Sequence, residues 1–143
     1  MFTKIDLCSM ALLKLGEKPI QNWCEDSAAA QLSRTLFDST VDMLLATFPW
    51  RFATKVIVLT RNTDGDFIIP SNVLRVLKCN GQIVGNKINT SGDSLEISAI
   101  VKTDVEDFPN YFATLVETKL AVEFCIPLIS DVNVFKMMTA LYE

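Results

Sequence analysis

The stretch DSAAAQLSRTLFDSTVDMLLATFPWRFA, from Asp26 to Ala53, decides the fold. It reads as one long amphipathic helix that stops at Pro49 and passes at once into an aromatic strand. Asp26 or Ser27 offers an N-cap oxygen to the orphan amides of the first turn. Ala29, Leu32, Leu36, Val41, Leu44, Leu45 and Phe48 recur at helical spacing and form one broad apolar face. Pro49 has no amide proton and disfavours the helical region for Phe48, so the helix ends about there. Trp50 and Phe52, two apart, project to one side of an extended segment and can fold over the helix end.

Upstream, the spacing predicts a helix from about Thr3 to Leu15, with Ile5, Cys8, Leu12 and Leu15 on its face. Gly16 is placed as its left-handed C-cap. In the connection that follows, Pro19 blocks helix, and Ile20 and Trp23 can plug a gap in the core.

Downstream of Arg51 the pattern changes to period two. Lys55–Thr60 is β-branched and reads as a strand. Asn62-Thr63-Asp64-Gly65-Asp66 is a turn, Phe67–Pro70 a short extended piece, and Val73–Cys79 a second strand. Asn80-Gly81 is a two-residue hairpin signal, since both residues accept positive φ. Short strands follow at Gln82–Val84 and Lys87–Thr90, and a longer one at Leu95–Val101. Gly85-Asn86 and Ser91-Gly92-Asp93 mark the turns between them.

Helical spacing returns after Asp104-Val105-Glu106-Asp107, with Pro109 in the first turn. Acids at a helix start interact favourably with its dipole. Phe112, Leu115, Val116, Leu120, Phe124 and Ile126 line this helix, which Pro127 ends or kinks. Asp131 caps a last helix carrying Val134, Phe135, Met138 and Leu141.

The expected fold class is α+β, mainly a helical bundle: two helices, an antiparallel β-meander insertion, then two helices. All 143 residues form one domain, with a helical part at 1–50 and 105–143 and a β insertion at 51–104 that projects from one end of the bundle.

Half the residues are hydrophobic and 21% are charged, which is apolar for a chain of this length. Either the core is dense or other subunits cover part of the surface. The net charge of −4 comes from 17 acids against 13 bases with no basic run, so a phosphate-binding stripe is not expected. Asp6 and Lys14 interrupt the N-terminal apolar positions, which argues against a signal peptide. No stretch approaches the roughly 18 apolar residues of a membrane span. Cys8, Cys24, Cys79 and Cys125 are widely spaced and read as buried free thiols in a reducing compartment.

Chemistry is sparse. The chain has no histidine, so Ser-His-Asp and Cys-His catalysis and the commonest metal ligand are excluded. Neither GxxxxGK[ST] nor GxGxxG occurs. The Asn62-x-Asp64-Gly65-Asp66 turn resembles a calcium loop only in part, because its glycine falls at the wrong position and no glutamate follows at the needed spacing. Asp104, Glu106 and Asp107 could serve as a carboxylate pair or Mg²⁺ ligands, but a helix start explains them more simply. Arg51, between Trp50 and Phe52, either points outward as a binding residue or pairs with a nearby acid. Met137-Met138 reads as packing. No catalytic, cofactor-binding or metal-ligating residue is assigned, and the chain is not expected to be an enzyme.

Four pieces taken in order resemble a known family. They are Ala11–Ile20, a helix ending in LGE-x-P-I; Phe48-Pro49-Trp50-Arg51-Phe52-Ala53, closing the long helix; Phe67–Leu77, with Pro70 before a polar pair and then Leu74-Arg75-Val76; and Asp107–Phe112 leading to Lys119–Pro127. Their order and spacing are similar to tail tubular protein A and related head–tail connector adaptors of tailed bacteriophages. The resemblance covers nearly the whole chain and rests mainly on core and turn residues.

The resemblance implies a structural protein of the virion, made in the bacterial host cytoplasm. It would form a homo-oligomeric ring, commonly a dodecamer, at the head–tail junction. The ring would join portal protein to tail or nozzle proteins, and DNA would pass through the lumen without sequence-specific binding. No cofactor or membrane is implied. Trp50, Arg51, Phe52, Pro70, Arg75, Phe112 and Pro127 are the structural or interaction candidates. Members of that family usually continue past the last helix with a segment that docks on the portal, whereas this chain stops at Glu143: either it is truncated, as a shortened prophage gene would be, or this member attaches differently. The alternative is a small α+β regulatory module of non-viral function, binding a partner or ligand in the cleft between bundle and meander.

Overall fold

Thr3 opens the first helix and Gly16 closes it. In the computed structural model, which describes residues 2–128, 136 and 139–142, helix α1 spans Lys4–Lys14. The Thr3 hydroxyl accepts from the Asp6 amide at 3.1 Å, and the Asp6 carboxylate accepts from the Thr3 amide at 3.0 Å. This reciprocal capping box satisfies two orphan donors. At the other end Gly16 has φ +78°, the Glu17 amide donates to Leu12 O at 2.9 Å, and the Gly16 amide donates to Leu13 O at 3.0 Å. That pair of bonds is a Schellman motif, which needs a residue tolerant of positive φ at the position of Gly16.

Helix α2 spans Ala28–Thr47 and is capped by Ser27, whose hydroxyl accepts from the Ala30 amide at 3.1 Å. Its buried face differs from the expected one. Ala30, Ser33, Phe37, Thr40, Val41, Leu44 and Leu45 are buried, Ala29, Leu32 and Leu36 are half-buried, and Phe48 is exposed. The stripe therefore turns by about one residue and includes two hydroxyls. Ser33 can sit there because its hydroxyl donates to Ala29 O at 2.8 Å, so no unpaired polar group is buried.

Beyond Pro49 the expected aromatic strand is a 3-10 turn over Arg51–Ala53. The Ala53 amide donates to Trp50 O at 3.2 Å and the Thr54 hydroxyl caps the same carbonyl at 2.5 Å, which closes the chain locally before extension begins. The rings of Phe48, Trp50 and Phe52 still follow one another, with centroids 5.1 and 6.0 Å apart.

The chain divides into two compact units, Met1–Leu44 with Asp104–Glu143, and Leu45–Thr103. In the second unit six strands form two three-stranded antiparallel sheets. β1 (Thr54–Thr60), β3 (Val73–Lys78) and β6 (Ser94–Val101) make one sheet in the order β1-β6-β3. β2 (Phe67–Ile68), β4 (Gln82–Val84) and β5 (Lys87–Asn89) make the other in the order β2-β5-β4.

This is not the sequential meander expected, because the first strand pairs with the last: Thr54 lies opposite Ile100 and Thr60 opposite Ser94. Asn80-Gly81 also closes no hairpin, since β3 pairs with β6 and β4 with β5. A Cβ on Gly81 would stand 2.8 Å from Asn89 O and 2.8 Å from Ile88 Cγ2, so close approach to β5 explains the glycine there. The two-residue hairpin is at Gly85-Asn86, between Val84 and its partner Lys87, with Gly85 at φ +61°. Leu59, Phe67, Ile88, Leu95, Ile97 and Ala99, drawn from both sheets, form the core of this unit.

In the first unit α1 packs against α3, which spans Asn110–Leu128 with Pro127 inside it. Phe112, Val116, Leu120 and Phe124 are buried as expected, but Ile126 is exposed and Ala113, Ala121, Val122 and Cys125 are buried as well. A helix with apolar residues around most of its circumference is one covered on several sides. The preceding acids do not sit in its first turn. Val105–Asp107 is a separate 3-10 turn and α3 begins at Asn110, so the dipole of α3 is not what accounts for them. Pro109 precedes the helix, and its carbonyl accepts from the Phe112 and Ala113 amides at 3.0 and 2.9 Å.

Ile20 is buried as expected, and Trp23 meets Phe37 edge-on with centroids 6.1 Å apart. Lys136 and residues 139–142 are helical, whereas Asp131, Val134, Phe135, Met137 and Met138 lie outside the described residues. All four cysteines are free, but only Cys8 and Cys125 are buried; Cys24 is exposed and Cys79 half-buried. Among the described residues no helix is long and apolar enough to cross a membrane.

Candidate functional site

The second unit holds a groove of about 640 Å³. Its wall starts at Ile68, the end of β2, and passes Pro70, which cannot donate to a ladder, as the chain turns into Ser71-Asn72. The wall continues along β3 and is completed by Ile83 and the Gly85-Asn86 turn. Ile68, Ile69, Val73, Val76 and Ile83 give it an aliphatic lining, and Arg75 is its one charged residue. The turn is held against this wall by the Ile69 amide, which donates to Asn86 O at 2.8 Å.

Arg75 is exposed and donates from Nη1 to the carbonyl of Ala46 at 3.2 Å. Ala46 lies in the last turn of α2, whose carbonyls have no donor within the helix, so the guanidinium acts as a cap from another element. No carboxylate among the described residues lies within ion-pair distance of it.

Of the other candidates, Trp50 and Phe52 are half-buried in the aromatic run, and Arg51 between them is exposed with no ion-pair partner among the described residues. Phe112 is fully buried and edge-on to Phe108 at 4.8 Å, which is a packing role. Pro127 is exposed and lines a smaller concavity of about 290 Å³ with Leu128, Ala28, Gln31, Leu32 and Thr35. The geometry thus brings Pro70 and Arg75 to one groove and leaves the remaining five elsewhere.

Sequence reasoning missed two features. One is the outer face of β1, where Val56 and Val58 are 60% and 64% exposed opposite Ser98 and Glu96. Their alternation with Ile57 and Leu59 carried that signal, because a strand apolar on both faces with one face buried must expose the other. The other is Arg61, whose guanidinium donates to Gly92 O, Gly65 O and Thr90 O at 2.8, 2.7 and 2.9 Å.

The Asn62–Asp66 turn is closed by its own groups. The Asn62 side-chain oxygen accepts from the amides of Asp64 and Asp66 at 3.0 and 2.9 Å, and Asp66 pairs with Lys87 at 3.3 Å. Among the described residues no three acids or cysteines cluster as metal ligands. A scan against protein-family models matches no family, and a search of the curated proteins finds no match.

Proposed function

We propose that this chain is a structural head–tail connector adaptor of a phage or prophage, with no reaction of its own. In this reading its helices pack as a bundle and the protein assembles as a ring, commonly of twelve, between portal and tail proteins. DNA passes through the lumen without being read.

The observation that carries the proposal is the apolar surface of an edge strand. Val56 and Val58 stand on the outer face of β1, which has a neighbour on one side only. Paired, exposed β-branched residues on an open edge invite another chain unless something covers them. Phe48, 58% exposed, adds an aromatic ring to the same unit. A neighbouring subunit would bury such groups, and the acidic balance of the chain suits a lumen that lets DNA slide.

Sedimentation velocity of the purified protein tests this, alone and mixed with the portal protein encoded nearest its gene. A ring-sized species or co-sedimentation with portal is expected. A monomer that ignores the portal overturns the proposal. The second reading, a small α+β module that binds a partner or ligand, is favoured by the groove along β3, and metabolic genes beside this one would support it.

A further inference from the structure

We propose that the groove along β3 docks an extended, apolar segment of a partner protein that presents a carboxylate to Arg75. The groove has the size of concavities that enclose a ligand, about 300–1,000 Å³. It takes residues from β3 and β4, and each of these strands pairs on one side only. An extended chain laid beside such an edge gains main-chain hydrogen bonds, and its alternate side chains enter pockets.

Charge fixes the occupant's chemistry. Acids outnumber bases in this chain, yet none of them lines the groove. Arg75 is the lone charge lining it, its bond among the described residues is to a neutral carbonyl, and a guanidinium has five donor hydrogens. An aliphatic strand with one Asp or Glu meets both requirements. A basic segment would be repelled, and a wholly apolar one would leave the guanidinium facing hydrocarbon.

The proposal does not depend on assembly into a ring. Failure of the sedimentation test would leave the peptide test standing, and the reverse holds too.

The test is selection of a displayed library of random linear peptides on the full-length protein. The expected winners alternate aliphatic residues around a single Asp or Glu. Arg75→Gln keeps an amide donor for Ala46 and is expected to weaken those peptides at least about tenfold, the worth of one charge-assisted hydrogen bond. Arg75→Glu is expected to change the preference to peptides bearing Lys or Arg. Ile83→Lys, at an exposed position with no capping role, is expected to abolish binding while leaving the melting temperature near that of the parent. A library that yields no enriched peptide overturns the proposal. So do winners without an acid, or affinities unchanged in Arg75→Gln and Ile83→Lys.

Discussion

The guanidinium of Arg61 lies 4.5 Å from the ring centroid of Phe67, which is itself fully buried in the β unit. From that position it donates to carbonyls in two separate turns, Gly65 before β2 and Thr90 and Gly92 before β6. One side chain therefore ties the two turns to the core. Lysine keeps the charge but cannot supply the planar fork. Arg61→Ala is expected to cost about 1–2 kcal/mol, toward the low end for bonds from a charged donor because the residue is exposed. Arg61→Lys should recover less than half of that loss. Urea unfolding with an unchanged slope is the measurement, and an unmoved midpoint for Arg61→Ala would show that the turns hold without it.

Gly81 and Gly16 are glycines for different reasons, and alanine separates them. At Gly81 a Cβ would meet Asn89 O and Ile88 Cγ2, both at 2.8 Å, so the backbones of β4 and β5 must part. A loss of about 1–3 kcal/mol is expected, as for overpacking. At Gly16 a Cβ meets nothing within 4 Å, and the cost comes from φ +78° alone, about 1 kcal/mol. Equal losses at the two positions, from thermal or urea melts, would refute the distinction.

Local chemistry was legible and pairing was not. Gly16, Ser27 and Pro49 bound their helices through groups close in the chain, so their roles follow from the residues themselves. The strand positions followed from alternation, to within a residue or two. Which strand meets which is decided by burial of Phe67, Ile88 and Ile97 together, a contact among residues distant in sequence. That is why Asn80-Gly81 misled: its turn chemistry is local, while the chain there crosses from one sheet to the other. The face of α2 was misjudged for a related reason. Serine reads as polar until its hydroxyl is seen to bond back to Ala29. The groove could not be read at all, because residues 68–71, β3 and the 83–86 turn meet only in the folded unit.

Ser27 joins the cap of α2 to the acidity of Glu25. Its hydroxyl donates to Glu25 Oε2 at 2.8 Å while accepting from the Ala30 amide. That bond, followed by the one from the Gln21 amide, holds the Glu25 carboxyl below its ordinary value. Ser27→Ala should cost about 1 kcal/mol through the lost cap. It should also move the titration of Glu25 upward, which side-chain carboxyl NMR reads directly. A cap loss without that upward movement would mean the backbone amides of Gln21 and Asn22 set the acidity.

Cys8 links pH to stability at the alkaline end. Burial pushes its thiol up from 9.0 to about 11, against smaller opposing effects of a hydrogen bond with Ser33 and the charge of Lys4. The native state thus keeps a proton that the unfolded chain releases first. The sign follows: this stabilisation is whole below pH 9.0 and is lost as pH rises toward about 11. Across that window the native state holds up to one extra proton, so stability should fall by at most about 1.4 kcal/mol per pH unit from this group. The comparison is with Cys8→Ala, whose stability should fall less steeply over the same range. Thiol labelling gives a second reading: exposed Cys24 should react at once at neutral pH, and Cys8 only as fast as the protein opens. Parallel pH profiles for parent and Cys8→Ala, or prompt labelling of Cys8, would show that its thiol is not shielded in the native state.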